Sequence, residues 1–454
     1  MYRRWMAVLL ALVLTLSVGS SVLAQKVTVI ARAVEGGVNW QVVEWMTKHV
    51  FPAFREKLEA EGRSVELEFI QFGGSDEALK QQYALDLSVG AGADIMAFDG
   101  FWVPEFVEAG YLKPLDHVAG AAVWDWEGWQ HIPEGLRGLL GFQGEVYGLG
   151  LGTDVRKLYY RADLFEQAGI PVPWEPKTWE DVLETARQLK AHYPGSTPLQ
   201  INAGTAMGEA TTMQGYFMVL LGTGIHMYDF EQGKWIVEHP GILDTLNLYK
   251  QVYVDEGLGD RRMQLLAQGR EQSFAAFRDG RIMILAEGDW FWRSVVAPGS
   301  EWEPPGGRNA VVRWAPFPAQ EPGKGYGGTD FVSISGGTGY VLNPNSQNPE
   351  LAWELLSFMF STDMMLALQN IQPGIRIRSD VPVVGDPVMS AMAEKLLPVS
   401  TVRPQLPAYP RISVEAQLMT ERVITGEMTP EEAMQAYAEA VVELVGEENV
   451  IRVR

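Results

Sequence analysis

Between Lys26 and Phe98 the spacing of apolar residues changes period four times, and this alternation limits the fold more than any other feature of the chain. Val27, Val29 and Ala31 alternate with Lys26, Thr28 and Ile30, which predicts a short, largely buried strand. Val43, Met46, Val50, Phe54 and Leu58 then fall at three- and four-residue steps between Trp40 and Ala60, a helical spacing in which Pro52 predicts a kink or break. Val65, Leu67 and Phe69 alternate with acids as a second strand. Ser75 is placed to cap the next helix, with Asp76 and Glu77 in its first turn and Leu79, Tyr83 and Leu87 on one face. Asp94 to Phe98 makes a third strand. Strand, helix, strand, helix, strand is the order of a parallel sheet wrapped by helices, so the fold class is α/β.

The same grammar resumes further along. Thr178 with Asp181 resembles a capping box with Asp in place of Glu, backed by Val182, Ala186 and Leu189. Asn348 and Pro349 open another helix, buried through Ala352, Leu355, Leu356 and Met359. Thr429, Pro430 and Glu432 combine a cap, a first-turn proline and a capping-box acid ahead of Ala433, Tyr437, Ala440, Val441 and Leu444. Turn-rich stretches at 171–176, 298–308 and 320–328 are too short to be long linkers. They suit two lobes joined by several crossings, and the length of about 430 residues beyond the leader is too great for one ordinary core. There is no internal repeat and no low-complexity tract.

The first 24 residues read as a cleavable export signal: Arg3 and Arg4, an apolar run from Trp5 to Val18, then small residues ending at Ala24. The apolar run is shorter than the roughly 20 residues of a membrane span, and an uncut anchor helix is the alternative. The chain has no cysteine, which excludes disulfides, thiolate metal sites and a cysteine-linked lipid anchor. The expected location is therefore periplasmic or secreted. Removing the leader takes away two arginines and no acid, moving the formal charge from −21 to −23. Such an acidic balance argues against nucleic acid and anionic membrane surfaces as partners.

Motifs for chemistry are mostly missing. His49, His117, His131, His192, His226 and His239 are scattered without metal-ligand spacing, so no metal and no cofactor is expected. There is no glycine-x-serine-x-glycine elbow, and the run Ser333 to Gly339 lacks the lysine of a phosphate loop and reads as a glycine-rich turn beside a strand. Paired carboxylates of a glycosidase would need only to face each other about 5 to 10 Å apart, which sequence leaves open. Aromatic residues in turn contexts are the positive signal: Trp102 past the third strand, Trp124, Trp126 and Trp129 in one loop, and Trp290 and Trp292 after Gly288 and Asp289. Flat rings stack on the C–H faces of sugars, while carboxylate, amide and guanidinium groups pair with their hydroxyls. Core packing is the competing role for each tryptophan and is assigned to Trp179 and Trp353.

Several segments, in order, resemble the bacterial extracellular solute-binding proteins of ABC importers, the sugar-binding family that includes the maltose-binding protein. Asp94 to Phe98 followed by Phe106 to Asp116 is similar to the family's strand and "aG.l.pLd" segment. Gly144 to Leu149, Leu158 to Ile170 and Thr178 to Asp181 form the most specific stretch, where Arg161 replaces the usual asparagine and is taken as a surface variation. Phe277 to Met283 with Gly288-Asp289-Trp290 resembles "F..Gk.AM...G.W", whose tryptophan commonly stacks on sugar. Gly327-Gly328 before Phe331 to Ser335, Ala352 to Phe360 and the last helix also fit. Ile375 to Val381 departs from the family by lacking its proline.

The resemblance implies a two-lobed periplasmic binding protein fold with hinge crossings and a ligand cleft between the lobes. The expected division is 25–153 plus 313–364 for the first lobe and 154–312 plus 365–454 for the second. The function it implies is capture of an oligosaccharide or related polyol and delivery to ABC transporter permease subunits, by a monomer that is not an enzyme. Trp290, Trp292, Trp102 and Phe101 are the candidate stacking residues; Asp289, Glu35 and Asp154 are candidate acceptors, Gln214 and Arg376 candidate donors, and Gly328 a candidate backbone contact. Glu35 is chosen because it follows the carboxyl end of the first strand, where open α/β sheets place ligands. Two other readings stay open: a glycerol phosphate ester held by Arg32, Arg376 or Arg378, and an exported glycan-cleaving enzyme.

Overall fold

The structure is a computed structural model that describes residues 25–383 and 385–453. The expected leader, 1–24, lies outside the described residues. The strands that build the two main sheets and the crossings between them are, in chain order, β1 (Gln25–Ala31), β2 (Val65–Gln71), β3 (Ile95–Asp99), β4 (Gly148–Thr153), β5 (Arg156–Arg161), β6 (Thr197–Gln200), β7 (Ile282–Gly288), β8 (Val312–Ala315), β9 (Phe331–Ser335), β10 (Gly337–Leu342) and β11 (Ile375–Arg376).

The first sheet runs β11-β4-β10-β3-β1-β2. Its expected parallel part is β1 with β2 and β3, in the register Gln25↔Val65 and Val29↔Ile95. β10, β4 and β11 extend it antiparallel, so the sheet is mixed. The helix Asp76–Ser88 covers one face through Leu79, Tyr83 and Leu87, and Ser75 caps it by accepting the Ala78 N–H at 3.1 Å. The segment after Trp40 is helical to Ala60, but Trp45–Val50 is wound as a wide π turn directly ahead of Pro52. Proline has no N–H to give to the preceding turn, and the wider turn absorbs the mismatch without ending the helix.

The second sheet runs β8-β5-β7-β6, with β5 antiparallel to both β7 and β8. β7 is buried at all seven positions, as a strand covered on both faces should be. Capping boxes close on the helices Trp179–His192 (Thr178 with Asp181) and Pro430–Val445 (Thr429 with Glu432). Asn348 opens Pro349–Met359 without capping it; its amide is drawn to β1, accepting from Gln25 and donating to the Lys26 carbonyl.

Three expectations need correction. Val312 to Ala315 pairs with β5 and Phe331 to Ser335 packs beside it, so the segment from 313 to 335 belongs with the second sheet, not the first. Ile375–Arg376 pairs with β4, and Met365, Leu368, Ile377 and Val381 fill the core beneath the first sheet, so the return to the second lobe comes after Val381 and not at 365. Arg161 is buried, forks onto Asp163 at 2.9 and 2.7 Å and donates to the Phe277 and Arg278 carbonyls; it ties β5 to a neighbouring helix end and is no surface variation.

Candidate functional site

The chain passes between the sheets at Thr153 to Arg156, at Ser335 to Gly337, and after Val381. The first two crossings lie side by side. Thr153 Oγ1 donates to the Gly336 carbonyl at 2.8 Å, the Gly336 N–H donates to the Asp154 carboxylate at 2.7 Å, and Ser335 Oγ donates to the Asp154 carbonyl at 2.7 Å. The Arg156 N–H donates to Ser333 Oγ at 3.0 Å and its guanidinium to the Ile334 carbonyl at 2.9 Å. Asp154 is thus part of the hinge. Burial works against its charge, but Arg156, the Gly336 N–H and Arg403 outweigh burial and hold the carboxyl below its ordinary range.

Above these crossings the sheets leave a cleft of about 1030 Å³ lined from both sides. From the first lobe come Trp40, Phe101, Trp102 and Arg376; from the second come Gln214, Arg270, Trp290 and Trp302. Trp290 is half-buried, with the guanidinium carbons of Arg156 and Arg270 4.9 and 5.6 Å from its ring centroid. Its indole N–H has no partner among the described residues. Arg403 stands over Phe101 at 4.0 Å and bridges Asp99 of the first lobe (2.6 Å) to Glu209 of the second (3.0 Å). Burial pushes the Asp99 carboxyl up to about 6 in spite of Arg403, with Asp154 and Glu209 adding to the rise.

The lips also meet. The Glu209 N–H donates to Glu77 at 3.2 Å, Ser294 Oγ donates to the Gln41 amide oxygen at 3.1 Å, and Arg32 lies 3.7 Å from Glu271. Lobes touching on both the hinge and mouth sides describe a cleft in a closed arrangement.

Of the residues singled out from sequence, Arg32, Phe101, Trp102, Asp154, Gln214, Trp290 and Arg376 line this cleft. Trp102 shows it little, being packed edge-on against Phe98 and Tyr83. Four do not line it. Asp289 is fully buried and its carboxylate is used by the Val155 N–H (3.2 Å) and Arg293 (2.9 Å), so it fastens β7 to β5 and has no oxygen turned to a ligand. Trp292 is buried, donates to Asp386 at 2.8 Å and carries Arg308 over its face at 4.3 Å. Glu35 is exposed on the lip, where its N–H donates to Gln71 at 2.7 Å. Gly328 sits in a turn closed by its N–H on the Gly325 carbonyl at 2.7 Å, away from the cleft. The Trp124, Trp126 and Trp129 cluster packs on itself and on Trp353 and is also outside the cleft. Arg378 is buried against Asp380.

Trp40, Trp302, Arg156, Arg270, Glu209 and Arg403 were missed. The position rule that selected Glu35 also covers Trp40, five residues on, whereas nothing local marks Arg403, which arrives from a distant segment.

The model of the family described as bacterial extracellular solute-binding protein matches residues 39–365. A Brucella abortus (strain 2308) protein that carries the name putative binding protein is 28% identical over 363 residues, 80% of this chain and 78% of that one. A maltotriose-binding protein of Pyrococcus abyssi is 22% identical over 78% of this chain and 69% of its own. Among solved structures, an ABC transporter solute-binding protein from Thermotoga lettingae, bound with α-D-tagatose, superposes with a TM-score of 0.76 and 25% identity over 93% of this chain and all of that one. Two lobes, hinge crossings and an interlobe cleft are the architecture this match requires, and the chain belongs to the bacterial extracellular solute-binding protein family.

Proposed function

We propose that the chain captures a carbohydrate in the interlobe cleft and delivers it to the permease subunits of an ABC importer, acting outside the cytoplasm as a monomer and without catalysing a reaction. The observation that carries the reading is the lining: aromatic surface from both lobes, set among amide, carboxylate and guanidinium groups already held in hydrogen bonds. That combination suits a ring with apolar faces and a polar rim. The volume of about 1030 Å³ stands at the upper end of the roughly 300–1,000 Å³ of small-molecule sites, which suits more than one sugar ring. The tagatose in the Thermotoga lettingae protein and the maltotriose named for the Pyrococcus abyssi relative support the same class. A ligand touching both lobes favours the closed state, and an importer can then tell loaded from empty protein by shape.

Native mass spectrometry of the protein after incubation with oligosaccharides tests this reading. The expected result is an intact sugar retained at one per chain. Shorter sugars accumulating in the solution would make the protein an enzyme and overturn the proposal.

A further inference from the structure

The cleft lining carries seven cationic and seven acidic side chains among the described residues, whereas the whole chain has 36 Lys and Arg against 57 Asp and Glu. The cleft lining is therefore less acidic than the chain as a whole. Six of the seven cations have a carboxylate: Arg32 has Asp76 and Glu271, Lys80 has Glu105, Arg156 has Asp154, Arg270 has Glu287, Arg293 has Asp289, and Arg403 has Asp99 and Glu209. Arg376 has none among the described residues. Its Nε donates to the Gln369 amide oxygen at 2.8 Å and its Nη2 to the Gln372 carbonyl at 2.6 Å, both neutral acceptors. Asp289 favours its charge from a distance, but that carboxylate is already paired with Arg293.

Arg376 lies on β11 at the edge of the first sheet, and Gly374 leaves room for the guanidinium, which would stand 3.2 Å from a Cβ there. One side of the group faces the cleft and the rest is enclosed. Burial, with Arg293 nearby and Asp289 partly opposing, lowers its proton affinity to about 9, still charged at neutral pH. Next to it, Gln372 lines the same cleft and its buried amide Nε2 has no acceptor among the described residues. Trp290, which lines that cleft, carries a third donor without a partner among the described residues. A half-buried cation costs stability unless an anion meets it, and orphaned donors add to the cost.

We infer that the ligand is a sugar bearing an anionic group, a uronic-acid carboxylate or a phosphate ester, which docks on Arg376 and the Gln372 amide while its ring meets the aromatic lining. This rests on the carbohydrate reading above. A carboxylate or phosphate accepts two parallel N–H bonds from a guanidinium fork, which a hydroxyl does not. The anion would supply the direct ion pair that, among the cations lining the cleft, Arg376 alone lacks within the described residues.

Titration calorimetry decides it, with D-glucuronate, D-galacturonate, digalacturonate and glucose 6-phosphate each paired with its neutral counterpart. The expected result is an acidic sugar bound at least about tenfold more tightly than its neutral partner, a difference of about 1.4 kcal/mol. That binding should weaken as NaCl is raised from about 50 to 500 mM, while neutral-sugar binding holds. Arg376→Gln should cost the acidic member more affinity than the neutral one and bring the two within about threefold of each other, with a single cooperative melting transition as the control for folding; Arg376→Lys should retain part of the preference. A uronate preferred over the phosphate ester identifies a carboxylate as the docking group, and the reverse identifies a phosphate. Neutral sugars bound as tightly as acidic ones, or a preference untouched by Arg376→Gln, overturns the inference and leaves the carbohydrate reading intact. Binding of neither kind overturns both.

Discussion

At Gly288 a Cβ would stand 2.1 Å from Trp290 Cη2, because the indole folds back over its own chain. Only glycine leaves the ring where Arg156 and Arg270 hold it. Gly288→Ala is therefore expected to displace the ring and weaken sugar binding with little unfolding. Trp290→Ala should cost about 1 kcal/mol of binding, roughly fivefold, if the ring stacks on the ligand; calorimetry on both variants checks this, and unchanged affinity in both would remove Trp290 from the site. The Gly-Asp-Trp signal was legible in sequence, but only half of its meaning was. Asp289 is as necessary as Trp290, yet it is spent on Val155 and Arg293, and a linear sequence gives no sign of which of two adjacent polar and aromatic residues faces inward. Lys157 makes the same point. It is fully buried, its ammonium donating to the Val155 carbonyl at 3.0 Å and lying over the Tyr159 ring, and burial pushes it down to about 7, with Asp289 and Asp154 partly opposing. Between that value and about 10.4 the unfolded chain binds more protons than the native one, so stability rises with pH through this window and the penalty is complete below about 7. Lys157→Met should raise the melting temperature at pH 7 and flatten its rise toward pH 10.

Elements with their own caps and periods were legible because their signals are local. Thr429 satisfies an N–H of the helix Pro430–Val445 far from the cleft, so Thr429→Ala should lower unfolding free energy by about 1 kcal/mol and leave ligand affinity unchanged, as urea melts and calorimetry would show. β4 and β10 were not legible as central strands. Their glycines suggest turns, but the pairing needs them: a Cβ on Gly148 would lie 2.3 Å from the Tyr340 carbonyl oxygen, and one on Gly339 2.2 Å from that of Leu149. Close backbone approach between strands distant in sequence leaves no periodic mark. The same holds for β11, which places Arg376 in the cleft by pairing with β4 and so draws residues 362–381 into the first lobe.

Over the whole molecule, two kinds of contact join the lobes. The hinge side is fastened by Asp154, Gly336 and the Asp99–Arg403–Glu209 chain. The mouth is held by Glu77 on the Glu209 N–H and by Gln41 on Ser294. Mouth contacts that break on opening would favour the closed state, so their removal is expected to shift the balance toward the open one. The double variant Glu77→Ala, Gln41→Ala should release ligand several-fold faster by stopped-flow fluorescence, with the association rate little changed. Small-angle scattering should show its unliganded form more extended than the unsubstituted protein. Two lobes were foreseeable from length and turn placement; the second and third crossing positions were not, since they depend on which sheet a strand joins.

The central claim is that this cleft holds a sugar between the lobes, and calorimetric titration of residues 25–454 with a panel of neutral and acidic sugars tests it most directly. At least one sugar is expected to bind at one per chain with a dissociation constant of about 1 μM or tighter, about −8 kcal/mol, and to lose affinity in Trp290→Ala. No sugar binding more tightly than about 1 mM, while a solute of another class does, would contradict it.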